Sequence, residues 1–345
     1  MAIDIRKDVQ LSEYTTLKIG GVARYFVEVS TVEEIGEAVQ FAKQIALPHL
    51  ILGGGSNLLI ADTGFDGVVI QNHLKGIRYI EHENEFVTLV AEAGEVLDEV
   101  IADTVSRGYF GLENLSAIPG SVGATPVQNV GAYGVEVSDI ILKIEAYHIP
   151  TESIKIFSPE ECKFRYRDSF FKTEAGKEFI ITSVHFSLTK KYSPKIHYKD
   201  LVKLFAETKP TLKEIREAVI AIRSQKFPDW QVLGTAGSFF KNPIIPRAQS
   251  EALLEYYPDL PSYDAGNEQV KMPLGYVLDN ICGLKGYSDG KVGLFEKQAL
   301  VLVNFGGATA GEVFEFVEFV RSKVFEKTKI KIEPEVRFVG FEKSI

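Results

Sequence analysis

The sequence predicts an α+β or α/β fold with more than one domain, on three observations. Helical and strand patterns alternate along the chain. The 345 residues, 45% hydrophobic and 25% charged, suffice for two or three domains, each with a core. A break in pattern from Gln225 to Gly237, with Pro228 and two glycines, reads as a domain boundary.

Arg24–Val29 alternates apolar and polar residues, as a half-buried strand does. Thr31 and Glu34 form a capping-box pattern, opening a helix whose Ile35, Ala38, Val39, Ala42 and Ile45 share one face. His49–Leu52 and Gly67–Ile70 read as short buried strands around a glycine-rich turn. Glu85–Ala93 is another strand, followed by a helix to Val105. Leu115–Val137, dense in Gly, Pro and Asn, has no period and reads as an extended loop. Strands resume at Ile140–His148 and Phe179–Leu188. Thr211 with Glu214 caps a second helix that turns Leu212, Ile215, Val219 and Ile222 inward. Beyond the boundary come a Pro-rich segment to Pro273, a strand at Ala299–Asn304, a helix from Thr309 to about Phe325, and a last strand through Ile330–Phe341.

Charge and cysteine content narrow the function classes. A net charge of −9 disfavours general binding to nucleic acid or anionic membrane. Phe186–Lys226 departs from this, with ten Lys/Arg against four Asp/Glu, and reads as either a solvated helical face or an anion-binding surface. Cys162 and Cys282 are too far apart in sequence to suggest a disulfide framework, and six scattered His argue against a protein-held metal. Asp4, Arg6, Lys7 and Asp8 leave no signal-peptide pattern, and no apolar run is long enough for a bilayer span; the expectation is a cytoplasmic, acidic monomer.

Several segments can carry chemistry. Gly53-Gly54-Gly55-Ser56-Asn57 follows a strand, and its N–H groups can form a nest for phosphate oxygens; alone it is equally a tight turn. It lacks the G-x-G-x-x-G spacing and no helix pattern follows, which disfavours a Rossmann site. The Ile118–Pro126 and Asn129–Gly134 stretches make a loop that is costly to order unless its amides find a partner. Two such loops, each after a strand, point to a dinucleotide. Tyr166-Arg167-Asp168-Ser169 offers a guanidinium shaped for carboxylate or phosphate, or a surface pair with Asp168. In Gly237–Pro243, Ser238 stands beside aromatics with no His nearby in sequence, so it is either a cap or a proton donor rather than a nucleophile. Glu333-Pro334-Glu335-Val336-Arg337 lies in a strand pattern that Pro334 confines to an edge or an irregular stretch, where Glu335 faces a cavity or pairs with Arg337.

Together these segments resemble the UDP-N-acetylenolpyruvoylglucosamine reductase family over nearly the whole chain. The resemblance also covers Thr16-Leu17 with Gly20-Gly21, and Lys297-Gln298-Ala299-Leu300. Tyr198-Lys199-Asp200-Leu201 is similar to the longer subtype with a substrate-covering tyrosine loop, which normally has Gly where Lys199 stands.

The resemblance implies a two-subdomain FAD-binding unit of the vanillyl-alcohol-oxidase type plus a third α+β domain for substrate. The implied spans are 1–73, completed by about 330–345, then 74–226, then 227–329. It implies noncovalent FAD, NADPH as co-substrate, and reduction of the enolpyruvyl ether of UDP-N-acetylglucosamine to UDP-N-acetylmuramate in peptidoglycan precursor synthesis. Matching positions assign Arg167 and Glu335 to the substrate carboxylate and Ser238 to protonation of C2. They assign Tyr166, Tyr198, Lys226, Asn242 and Gln298 to the UDP-sugar. Gly53, Gly54, Gly55, Ser56, Asn57, Pro119, Gly120, Ser121, Gly123, Arg223 and Arg337 fall to the FAD, and no residue to a metal. The competing readings are a flavin-dependent oxidase of the same superfamily and a noncatalytic UDP-sugar-binding protein.

Overall fold

The computed structural model describes residues 3–341; residues 1, 2 and 342–345, which the expected domain spans include, lie outside the described residues. The chain divides into two compact units, and the division does not follow chain order. The first comprises Ala23–Gly55 and Asp66–Arg223 with the residues up to Val9. The second comprises Gln10–Val22, Ser56–Phe65 and the chain from Ser224 onward.

The first unit is α+β, with two main sheets and a two-stranded pair, Gly131–Ala132 with Val135–Glu136. One orders the strands Ile5–Gln10, Val22–Val29, Phe65–Asn72 and His49–Leu52, the last two running parallel. The helix Val32–Gln44 buries Ile35, Ala38, Val39 and Ala42 in this sheet's core, with Tyr147, Ile149 and Ile180. Thr31 Oγ1 accepts from Glu34 N as the capping box requires, but the Glu34 carboxylate returns its bond to Ser30 N. The other sheet is antiparallel throughout, in the order Ser153–Phe157, Ile141–His148, Phe179–Thr189, Phe86–Glu92 and Ile77–Glu81. Its core joins Val87, Leu89, Val184 and Phe186 to Leu97, Val100 and Ile101 of the helix Leu97–Ser106. The helix Leu212–Lys226 opens on a complete Thr211/Glu214 capping box and buries Leu212, Ile215, Val219 and Ile222.

The second unit places Gly234–Ser238, Gln298–Asn304, Val292–Phe295 and Ser288–Asp289 in one sheet. The helix Ala310–Thr328 packs Val313, Phe316, Val317, Val320 and Val324 into the same core. A Thr309/Glu312 capping box starts it, and Asp62 accepts from Ala310 N and Gly311 N at 2.8 and 3.0 Å.

Two sequence expectations need correction here. The Pro-rich segment holds a three-stranded sheet, Ile244–Pro246, Gln269–Lys271 and Tyr263–Gly266, and the helix Arg247–Leu254. The final stretch is strand only at Arg337–Val339, which pairs parallel with Leu58–Ile60. Pro334 lacks the N–H that a continuous ladder would need, and the backbone around it is irregular. Among the described residues, no helix is long and apolar enough to cross a membrane.

Candidate functional site

In the first unit, the two glycine loops that are far apart in sequence lie against each other. A Cβ at Gly53 would stand 2.4 Å from Ser121 Oγ, and one at Gly54 would stand 2.8 Å from Gly120 Cα. Only glycine allows this approach, and Gly55 and Gly120 take φ of +61° and +123°. Backbone bonds stitch the second loop to the strand and turn before the helix Leu97–Ser106. Leu97 N donates to Gly120 O at 3.1 Å; Val122 N and Gly123 N donate to Glu95 O and Ala93 O, each at 2.9 Å.

Charged side chains grip the loop just upstream. Asp98 Oδ1 accepts from Ala117 N at 2.6 Å, and both Asp98 oxygens accept from the Arg216 guanidinium, at 2.6 and 3.0 Å. Burial alone would raise the Asp98 carboxyl, but the bonds from Arg216 and Ala117 N hold it below its ordinary value. Arg223 Nε donates to Ala117 O at 3.2 Å. Burial lowers the Arg223 pKa, and Tyr133 and Asp98 oppose it. Burial also pushes the Tyr133 hydroxyl up to about 12, so it stays protonated. Asp98 and Arg216 were not singled out from the sequence. Asp98, in the first turn of a helix, has the pattern of an ordinary dipole-favouring residue.

Arg167 sits at the corner of a turn closed by Arg165 N to Asp168 O and Asp168 N to Arg165 O, at 3.0 and 3.1 Å. It takes φ +53°, a conformation that costs a side-chain-bearing residue free energy. The turn is held from outside. Arg167 Nη2 donates to Gly131 O at 2.9 Å, Lys172 Nζ to Arg167 O at 2.7 Å, and Ser169 Oγ to Val127 O at 2.6 Å. The expected Arg167–Asp168 pair therefore gives way to a guanidinium turned onto the glycine-rich loop, across the Tyr166 ring at 5.3 Å. Tyr198 is the N-cap of the helix Lys199–Phe205, so Lys199 opens a helix. The Tyr198 ring meets Tyr133 edge-on at 5.3 Å. Within the basic segment, Lys190, Lys213 and Arg216 are engaged by Glu81, Glu217 and Asp98.

The second unit gathers its predicted residues by backbone pairing. Ser238 ends a strand opposite Val301, with Phe239 N donating to Leu300 O at 2.8 Å. Glu335 N donates to Phe239 O at 2.7 Å and Lys241 N to Glu333 O at 3.0 Å, so Glu333–Glu335 runs along the segment after Ser238. Phe239 and Phe240 are fully buried and anchor that segment. Asn57 Nδ2 donates to Glu335 O at 3.2 Å, and Arg337 N donates to Asn57 O at 3.0 Å. Asn242 Oδ1 accepts from Leu274 N at 2.9 Å, and a Cβ on the adjacent Gly275 would lie 3.0 Å from Gln298 Oε1. Ser238, Asn242, Gln298 and Glu335 are all half-buried, and Lys226 is half-buried at the end of its helix.

Two family models match the chain: an FAD binding domain over residues 23–155, and the UDP-N-acetylenolpyruvoylglucosamine reductase C-terminal domain over residues 228–339. The chain is 40% identical to the UDP-N-acetylenolpyruvoylglucosamine reductase of Flavobacterium johnsoniae, across 98% of this chain and 100% of that protein. It is 40% identical to the Chromobacterium violaceum reductase across 97% of this chain and 99% of that one. The crystal structure of the Thermus caldophilus reductase superposes with a TM-score of 0.67 at 25% identity, covering 98% of each chain.

Proposed function

The chain belongs to the UDP-N-acetylenolpyruvoylglucosamine reductase family, and from that premise we propose how its residues divide the work. The enzyme reduces the enolpyruvyl ether of UDP-N-acetylglucosamine to UDP-N-acetylmuramate, an FAD- and NADPH-dependent step of peptidoglycan precursor synthesis. The residues present fit FAD. The Gly53–Gly55 and Pro119–Gly123 loops approach so closely that no Cβ fits at Gly53 or Gly54, and such bare-backbone loops suit a pyrophosphate. Ser56, Asn57, Arg223 and Arg337 complete the assignment, which needs no covalent attachment. Bound FAD would supply hydride storage between NADPH and the enolpyruvyl C3.

The residues act on what that hydride leaves behind. Negative charge develops at C2 and its carboxylate, and preorganised charge and hydrogen bonds stabilise it. Arg167 and Glu335 serve the carboxylate region. Ser238 Oγ gives its proton to C2; a hydroxyl is a weak acid, but a carbanion-like centre is a strong base. Tyr166, Tyr198, Lys226, Asn242 and Gln298 hold the UDP-sugar. The observation that carries this reading is the 2.7 Å bond from Glu335 N to Phe239 O, which supports a shared role for the Ser238 and Glu335 segments. The reading also carries a three-domain division at about residues 73, 226 and 329, a cytoplasmic monomer, and no nucleic-acid or membrane partner.

An anaerobic visible spectrum followed through NADPH and then the UDP-enolpyruvyl sugar tests it. Flavin colour should bleach with NADPH and return with the sugar. Return only on admitting air would replace the reductase by the oxidase. A colourless protein that FAD does not reconstitute would leave a sugar-binding module.

A further inference from the structure

Asn114, in the turn Glu113–Leu115, is 1% exposed and belongs to none of the assigned sites. Its Nδ2 donates to Tyr133 O at 2.9 Å and to Lys195 O at 2.7 Å, while its Oδ1 is buried with no hydrogen-bond partner. A buried amide whose acceptor is left bare costs stability, and an apolar side chain would avoid that cost unless the two donations are needed. Both donations reach backbone that leads to the Tyr198 ring. Lys195 is three residues upstream of Tyr198, in a stretch, residues 190–198, that contains neither strand nor helix. Tyr133 carries the ring that meets Tyr198, and Leu201 packs with Tyr133, Val219 and Ile222 just beyond.

We propose that Asn114 is a positioning residue that fixes the Tyr198 segment for the UDP-sugar, acting through the carbonyls of Lys195 and Tyr133. The proposal rests on the assignment of Tyr198 to the UDP-sugar. An unanchored Tyr198 segment weakens sugar binding but leaves the NADPH half of the cycle alone, which a general packing defect would not do.

The test uses the flavin-loaded, full-length enzyme carrying Asn114→Ala, Tyr198→Ala, or both. Anaerobic bleaching by NADPH should stay within about twofold of the parent for Asn114→Ala, while KM for the UDP-enolpyruvyl sugar rises about tenfold or more. The double variant should be no worse in KM than Tyr198→Ala alone, because both changes remove the same contact. An unchanged KM in Asn114→Ala, or effects that multiply in the double variant, overturns the proposal. If Asn114→Ala loses its flavin, Asn114→Ser, which keeps one donor, takes its place; loss of flavin there too makes Asn114 a folding residue and overturns the proposal. An unchanged KM in Tyr198→Ala removes the Tyr198 assignment and this proposal with it. A parent enzyme that the sugar does not reoxidise would instead strike at the reaction assigned above.

Discussion

The two units hold their functional segments by different means. In the first, side chains reach to backbone: Asp98 and Arg223 grip Ala117, Arg167 grips Gly131, and Lys172 grips Arg167. In the second, backbone grips backbone around Ser238, through Glu335 to Phe239, Lys241 to Glu333 and Arg337 to Asn57. Side-chain bonds from Asn57 to Glu335 O and from Leu274 N to Asn242 lie beside them. A loop without a ladder must borrow donors and acceptors from side chains, and each borrowed group is then open to substitution. A segment held by its own amides does not rely on its side chains to hold its backbone in place. Point substitutions should therefore change structure and cofactor retention in the first unit, and rate in the second.

Ser238→Ala gives the largest expected effect and the cleanest break. Turnover should fall about 10²–10⁴-fold, with flavin content and melting temperature unchanged, because the backbone around Ser238 does not depend on its hydroxyl. Turnover at the original rate with the sugar still bound would remove the proton-donor assignment. Gly54→Ala comes next. Its Cβ would meet Gly120 Cα, which is backbone and cannot rotate away, so an overpacking cost of about 1–3 kcal/mol should appear as lost flavin on gel filtration. Gly53→Ala should be milder, since the Ser121 hydroxyl it meets can turn.

Asp98→Asn sharpens the same contrast on the side-chain hold. It breaks a two-pronged bond to Arg216 and weakens the one to Ala117 N, for a cost of about 2 kcal/mol in chemical denaturation and a weaker hold on flavin. The smallest effect is on pH dependence. His185, 5% exposed, lies 3.0 Å from Glu145. Burial and Lys143 lower its pKa, with Arg78 in the same sense, against the opposite pull of Glu145. A depressed folded-state pKa favours the neutral ring, so its contribution is present above the unfolded value, near 6.5, and is lost as pH falls through the folded value. Replacing His185 by Gln should shrink the drop in melting temperature between pH 7.5 and 5.5 by a few degrees. An unchanged drop would exclude His185 as a source.

What was legible in the sequence was what burial or glycine imposes. The helices Val32–Gln44 and Leu212–Lys226 announce themselves because one face is buried and one capped. Gly53, Gly54 and Gly120 were legible because a close approach or a positive φ calls for glycine there. Ser153–Phe157 and Ile77–Glu81, by contrast, are edge strands exposed along most of their length, so their apolar residues follow no core-imposed alternation. The sheet and helix between Ile244 and Lys271 were hidden by short elements and by Pro246, which here stands just before a helix. Asp98, Arg216 and Asn114 gave no local signal, because the partners described for them lie 19 to 118 residues away in sequence.

The parallel pair of Leu58–Ile60 with Arg337–Val339 bears on the order of assembly. The second unit draws its chain from Gln10–Val22, from Ser56–Phe65 and from everything after Ser224. During synthesis its early pieces must wait for the ribosome to finish nearly the whole protein. The first unit has all its strands once Arg223 has emerged. Loop closure over so long a separation is slow, so the unit bearing Ser238 should be the last to become protease-resistant on refolding, and a stalled chain would present the span that matches the FAD binding domain without Ser238.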